Sequence, residues 1–273
     1  MFIDTNIIYN EECLQGMKEK IPDNSIDMIL ADLPYGTTAC KWDSIIPLEP
    51  LWKQYKRVIK VNGAIVLTTS QPFTSKLIMS NPEWFKYEWI WVKNRKSNFL
   101  QANYQPLKYH ENVIVFSDGN ASYTKKGQSM KYYPQKTERD SIRKGAKCVA
   151  PKSWQGRMKK DYKIKSNTTK KRYPKSVIFF SNNKETGKHP TQKPVELFEY
   201  LIKTYTNENE IILDNVIGSG TTAVACLKTN RKFIGFEKEK KYYNIALKRI
   251  GKFNKDYYNQ LPEEEKPKQR QLF

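Results

Sequence analysis

The sequence is poor in the residues that build stapled or metal-held folds. Its four cysteines, Cys13, Cys40, Cys148 and Cys226, lie far apart with no Cys-x-x-Cys pair, and its two histidines are His110 and His189. That spacing points to neither a disulfide framework nor a zinc site, and no metal is expected. A chain of 273 residues buries enough core to need no staples. No stretch approaches the roughly 18 consecutive apolar residues of a membrane-spanning helix. No basic segment followed by an apolar run opens the chain, so a soluble protein of a reducing cytoplasm is expected. Acidic residues are also scarce, with 28 Asp and Glu against 48 Lys and Arg, a formal charge of +20. A surplus this large favours a polyanionic partner through counterion release, the plainer alternative being a basic, soluble surface.

What is present falls into three textures. Residues 1–118 alternate short apolar runs with polar segments. Ile26–Leu30, Ala64–Thr68 and Val113–Phe116 read as buried strands, and Leu48–Ile59 has helical spacing with Asn62-Gly63 as its stop. A strand, a helix and a strand in succession are the mark of a parallel α/β sheet. Residues 119–176 differ in kind. From Ala121 to Ser176 there are 18 Lys and Arg against 3 Asp and Glu, with Tyr132, Tyr133, Trp154, Tyr162 and Tyr173 interleaved. Flat apolar faces beside phosphate-seeking heads suit a nucleic acid, whereas poor periodicity with high charge also describes a linker. Residues 177–253 resume the α/β texture, with Glu210–Leu213 and Lys232–Phe236 as strands around a helix from about Gly220 to Lys228, and 254–273 form a charged tail.

Two loops carry chemistry. Leu213-Asp214-Asn215-Val216-Ile217-Gly218-Ser219-Gly220-Thr221-Thr222 runs from a strand through a Gly-x-Gly turn into a helix, the crevice where α/β sheets hold nucleotide-like ligands. Glu237 ends the next strand, 23 residues after Asp214, where a carboxylate can take both hydroxyls of a ribose. Ala223 stands where a dinucleotide loop has its third glycine, and the chain has no Gly-Lys-Ser/Thr for a triphosphate. An adenosine without phosphates remains, and S-adenosylmethionine is such a ligand. The second loop is Asp32-Leu33-Pro34-Tyr35-Gly36, after the strand Ile26–Ala31. An amino nitrogen conjugated to a heteroaromatic ring is a poor nucleophile, because its lone pair is delocalised. Asp32 and the carbonyl of Leu33 supply acceptors for its hydrogens, Tyr35 a stacking face, and Pro34 stiffness.

With these residues in place, the chain resembles the bacterial and phage amino-methyltransferases of DNA, in the permuted class where the catalytic motif precedes the cofactor motif. Their catalytic loop is usually Asp-Pro-Pro-Tyr, and their cofactor loop starts Asp-Pro-Phe before Gly-Ser-Gly-Thr-Thr; Leu33, Asn215 and Val216 are departures. The resemblance implies a Rossmann-like methyltransferase fold with a mostly parallel seven-stranded sheet and an inserted target-recognition region, here 119–176. It implies S-adenosylmethionine as cofactor, held by Glu12, Asp32, Gln71, His189, Thr191, Gln192, Lys193, Asp214, Asn215, Gly218, Ser219, Gly220, Thr221, Thr222 and Glu237. His189-Pro190-Thr191-Gln192-Lys193-Pro194 matches a third signature, at the methionine end of the cofactor pocket; by itself it reads as the start of a helix with Pro194 in the first turn.

Double-stranded DNA is the implied partner, met by Trp91, Lys93 and Arg95 beside the target base and by the insertion's Tyr132, Tyr133, Arg143, Lys144, Trp154, Arg157, Lys159, Lys160 and Tyr162. A leading Asp in the catalytic loop marks adenine-N6 enzymes and Ser cytosine-N4 enzymes. Cytosine N4, an RNA substrate and a nucleic-acid-binding module without chemistry stay as alternatives. Gln269-Arg270-Gln271-Leu272-Phe273 resembles the Gln-x-x-Leu-Phe peptides that dock on bacterial sliding clamps, and a homodimer is a further partner expectation.

Overall fold

A computed structural model of the chain describes residues 3–36, 44–122, 127–138, 170–182 and 192–253. In chain order its elements are β1 (Ile7–Tyr9), α1 (Cys13–Lys20), β2 (Ile26–Asp32), α2 (Leu48–Val58), β3 (Ile59–Thr69), α3 (Phe73–Ser80), β4 (Phe85–Ser97), β5 (Lys108–Phe116), β6 (Thr137–Glu138), β7 (Lys171–Arg172), β8 (Val177–Phe179), α4 (Val195–Tyr205), β9 (Ile211–Asp214), α5 (Thr221–Lys228), β10 (Lys232–Phe236) and α6 (Lys240–Ile250).

They divide into two compact units, Pro134–Lys175 and the remainder. In the smaller, β6 and β7 pair antiparallel, Thr137 with Arg172 and Glu138 with Lys171, and the Lys136 ammonium sits 4.4 Å from the Tyr173 ring centroid. The smaller unit is narrower than the 119–176 expected from charge, because residues 127–133 pack with the larger unit. Met130 is buried in the larger core, Lys131 bonds Asp27 and Glu210, and the Tyr133 N–H donates to the Thr204 carbonyl.

The larger unit is an α/β/α sandwich around one sheet, ordered β1-β10-β9-β2-β3-β5-β4-β8. Among the described residues eight strands form it, against the seven expected, because Val177–Phe179 adds to the edge of β4 with Ile178 buried. Only β5 runs against its neighbours. β2 is buried along its length to Ala31, as a parallel strand covered on both faces must be, which is why Met28–Ala31 reads as an apolar run, with Asp27 as the strand's one charged, buried member. Helices α1, α2 and α3 cover one face and α4, α5 and α6 the other. Leu51, Trp52, Tyr55 and Val58 recur at helical spacing and give α2 its buried stripe. Pro194 directly precedes α4, where its missing N–H costs no helical bond.

The expected strand-helix-strand unit is present, β2 lying parallel to β3. Asn62-Gly63 does not stop α2, however. The helix runs straight into β3 at Ile59, and Asn62, at φ 64°, sits at a register shift inside the strand. No helix among the described residues is long and apolar enough to cross a membrane.

The topology decides where a site can be. β2 and β9 are adjacent and parallel, with Met28 beside Ile212 and Ile29 beside Leu213. The chain leaves β2 toward β3 on one side, while β9 leads to β10 on the other. The two loops singled out in the sequence therefore emerge side by side at the carboxyl ends of neighbouring strands, where the strand order reverses.

Candidate active site

One cavity of about 700 Å³ opens at those strand ends. Asp32, Leu33, Pro34, Tyr35, Trp91 and Lys93 line it, with Glu12, Gln192, Lys193, Asp214, Asn215, Gly218, Ser219, Thr221, Thr222 and Glu237.

At the catalytic end, Asp32 closes β2 and is engaged by three donors. Its Oδ1 accepts from the Tyr35 hydroxyl at 2.7 Å and from the Thr68 hydroxyl at 2.5 Å, and its Oδ2 from the Lys193 ammonium at 2.8 Å. Thr68 is the β3 residue in register with Asp32. The Tyr35 ring stacks on Phe73 of α3, centroids 5.6 Å apart, and Lys193 lies 5.6 Å from its centroid. Burial, and then the Asp32 carboxylate, push the Tyr35 phenol well above its ordinary value. The Leu33 side chain packs in the core, and the residue also lines the cavity.

Behind Asp32 lie two charged residues that sequence reasoning missed, Glu111 and Lys108, beside the expected Lys93 and Lys193. Glu111 of β5 pairs through Oε1 with Lys93 at 2.8 Å and through Oε2 with Lys193 at 3.3 Å. Burial opposes its ionisation, but Lys193 and Lys93 together bring its pKa down to about 2. Burial likewise opposes the charge on Lys193, yet Asp32 and Glu111 hold its pKa well above the ordinary value. Lys108 donates to the Ser70 hydroxyl, and burial, with Lys93 and Lys193 nearby, lowers its pKa against the pull of Glu111. A signal did exist: Trp91 and Lys93 are two apart on a strand, hence on one face, and Glu111 is the cross-strand partner of Trp91.

At the other end the loop after β9 is pinned from within. Asp214 accepts from the Val216 N–H at 3.1 Å and from the Thr222 hydroxyl; burial raises its pKa to about 7. Glu237 accepts from the Gly218 N–H at 3.0 Å and the Glu239 N–H at 2.8 Å, and burial raises its pKa too. Gly218 and Gly220 have φ of 53° and 81°, left-handed conformations that disfavour a side chain. Arg249 of α6, also missed, donates to the Ser219 carbonyl at 2.7 Å and hydroxyl at 3.0 Å. Glu12 caps α1 by accepting from the Gln15 N–H. Burial opposes its ionisation, but the N–H groups of Leu14 and Gln15 outweigh it and lower the pKa. Asn215, where a proline was usual, accepts from the Tyr55 hydroxyl at 2.6 Å and is buried.

Other expected residues stand elsewhere. Gln71 does not line the cavity; its side chain accepts from Ser75 at the start of α3. Gly220 serves packing, since a Cβ there would meet that of Ala246 at 3.0 Å. Trp91 is buried, its indole N–H donating to the Phe180 carbonyl, and it forms part of the cavity wall. Arg95 is exposed near the end of β4. Tyr132 and Tyr133 lie at the far end of the sheet, Tyr132 against Tyr87 and Tyr205 and Tyr133 beside Thr204, because Lys131 anchors that segment to Asp27 at the start of β2. His189, Thr191, Arg143, Lys144, Trp154, Arg157, Lys159, Lys160, Tyr162 and the tail Gln269–Phe273 lie outside the described residues.

Comparison with known proteins identifies the family. The profile of the DNA methylase family of N6 and N4 enzymes matches residues 26–248. The Type II methyltransferase M2.LlaDCHI of Lactococcus lactis subsp. cremoris is 30% identical over 259 residues, covering 86% of this chain and 85% of that protein. M.BglII of Bacillus subtilis, also a Type II methyltransferase, is 29% identical over 264 residues, 88% of this chain and 68% of that one. Among solved structures, the M1.HpyAVI–SAM complex superposes with a TM-score of 0.59 at 25% identity, covering 89% of this chain and 98% of that one. The cytosine-N4-specific PvuII DNA methyltransferase shares the fold, with a TM-score of 0.63 at 16% identity over 94% of this chain and 93% of its own. The chain belongs to the N6-adenine/N4-cytosine family of DNA methyltransferases.

Proposed function

We propose that the chain transfers a methyl group from S-adenosylmethionine to N6 of an adenine in double-stranded DNA, as the modification enzyme of a Type II system. The observation that carries this reading is that the Asp32–Tyr35 loop and the Gly218–Glu237 pocket share one cavity.

The residues fit the cofactor. Glu237 is fixed by two backbone N–H groups and keeps acceptor capacity for ribose hydroxyls. Gly218 has no Cβ to hold the ligand off the backbone, and Glu12 adds a carboxylate at the cavity wall. When bound, the sulfonium supplies an electrophilic methyl group. The chain's residues then orient the nucleophile. Asp32 and the Leu33 carbonyl accept hydrogens of the target amine, and the cavity walls at Tyr35 and Trp91 hold the base; transfer gains chiefly from positioning. Reaching the amine requires extruding the base from the stack, at a cost of a few kcal/mol.

A DNA-facing surface adjoins the cavity. Ser97 and Lys108, the last cross-strand pair before the β4–β5 loop, line it, and that loop exposes Phe99 (65%), Leu100 (95%) and Tyr104 (85%) beside Arg95 and Lys96. Large apolar side chains that exposed, next to cations and the catalytic mouth, suit an opened duplex. The basic insertion supplies the remaining phosphate contacts.

Incubation with methyl-labelled S-adenosylmethionine and unmethylated duplex, followed by digestion to nucleosides, tests the reading. Labelled N6-methyladenine is expected. N4-methylcytosine would move the assignment to the other branch of the family, and cofactor binding by calorimetry without any transfer would favour a binding module.

A further inference from the structure

The ion pairs behind Asp32 join four elements. Lys193 precedes α4, Asp32 ends β2, Glu111 is on β5 and Lys93 on β4, and the side chains of Lys93, Glu111 and Lys193 are 7%, 15% and 8% exposed. Buried charges on this scale are kept only when each is paired. Around the Lys193 ammonium stand the Asp32 and Glu111 carboxylates, the Tyr35 hydroxyl and the cations Lys93 and Lys108. Without Glu111, one carboxylate would face three ammonium groups.

Counting acceptor sites shows what this chain of charges achieves. A carboxylate has about four lone-pair sites, two on each oxygen. Tyr35 and Thr68 fill both on Oδ1 of Asp32, and Lys193 takes one on Oδ2. The site left for a substrate amine is therefore on Oδ2, beside Lys193. Where Lys193 stands fixes which direction that site faces.

Resting on the methyltransferase reading, we propose that Glu111 is a positioning residue: braced by Lys93, it holds the charged Lys193 ammonium against Oδ2 of Asp32, and so aims the one free acceptor site of the catalytic carboxylate at the target amine. Glu111 touches neither substrate nor cofactor in this role and acts through Lys193.

Two variants of opposite sign test it. Glu111→Gln removes the carboxylate that stabilises the Lys193 charge, so the alkaline limb of the methyl-transfer pH profile should move down by about one unit or more. kcat should fall, with little change in KM for cofactor or DNA. Lys93→Met removes a neighbouring like charge and should move the same limb up. Titration of the lysine Nζ signals by NMR, with Lys193→Met for assignment, reads the same shifts in protein that turns nothing over. Equal losses in both variants with unmoved limbs and an unmoved Lys193 titration would mean a merely structural role and overturn the proposal. Wild-type protein that transfers no methyl group would defeat the methyltransferase reading, while the Lys193 titration would still decide whether Glu111 holds that charge.

Discussion

Lys193 Nζ lies 2.8 Å from Oδ2 of Asp32, closing a separation of 161 residues between the two halves of the chain. The permuted order of the halves makes no difference to the site, because β2 and β9 are neighbours in the sheet. The first prediction follows from this convergence. Asp32→Ala should cut methyl transfer by about 10²–10⁴-fold, the range for loss of a positioned acid-base group. Cofactor affinity by calorimetry should stay close to wild type, since Glu237 and the Gly218 loop are untouched. Parallel loss of both would show that Asp32 belongs to the cofactor site alone.

Leu33 and Tyr35 should separate backbone from side-chain roles. Leu33 is buried in the core, so Leu33→Ala should lower stability by about 2–5 kcal/mol while turnover per folded molecule is preserved. Tyr35→Phe keeps the ring on Phe73 and loses only the hydrogen bond to Asp32, a loss of about 1 kcal/mol or some fivefold in rate. Tyr35→Ala should cost far more. Denaturant melts read alongside kcat distinguish these cases.

Much of this was legible because local chemistry dictates it. The apolar run Met28–Ala31 of β2, the stripe of α2 and the Gly-x-Gly turn each follow from residues close in sequence, and the loops at their ends were found for that reason. The Glu111 cluster and the role of Thr68 depend on strand register, which a single sequence does not state. Gln71 was misplaced because the loop after β3 turns its side chain onto Ser75, a contact that spacing alone cannot anticipate. Tyr132 and Tyr133 were grouped with the insertion by composition, whereas the buried partner of Lys131, Asp27, lies more than a hundred residues away.

The glycine loop should answer differently at its two glycines. Gly220→Ala brings a Cβ to 3.0 Å from that of Ala246 at φ 81°, so helix packing as well as strain opposes it, and the melting temperature should drop. Gly218→Ala meets nothing nearer than the Val216 carbonyl at 3.9 Å and carries only the backbone penalty of about 1–2 kcal/mol. Because Gly218 lines the cavity, cofactor affinity should fall more in Gly218→Ala than in Gly220→Ala.

Acid should unfold the protein partly through Asp27. Burial opposes its ionisation, but Lys60 at 2.8 Å, the Ile211 N–H at 3.0 Å and Lys131 at 2.9 Å outweigh it and lower its pKa. A carboxyl with a depressed folded pKa binds fewer protons folded than unfolded below its ordinary value of 3.8. Its contribution is therefore complete above that value and is lost as pH falls through the folded pKa. Asp27→Asn removes the carboxylate shared by Lys60 and Lys131, which are partly exposed, with Lys131 keeping Glu210 at 2.6 Å, so it should cost about 1.5–3 kcal/mol at neutral pH, the scale for hydrogen bonds to a charged group. The gap between wild type and variant should narrow as pH drops from 3.8 toward the lower folded pKa, first as the unfolded and then as the folded carboxyl takes up its proton. Urea melts at a series of pH values would show this convergence, and a gap that stayed constant into acid would mean that Asp27 contributes through shape and not through charge.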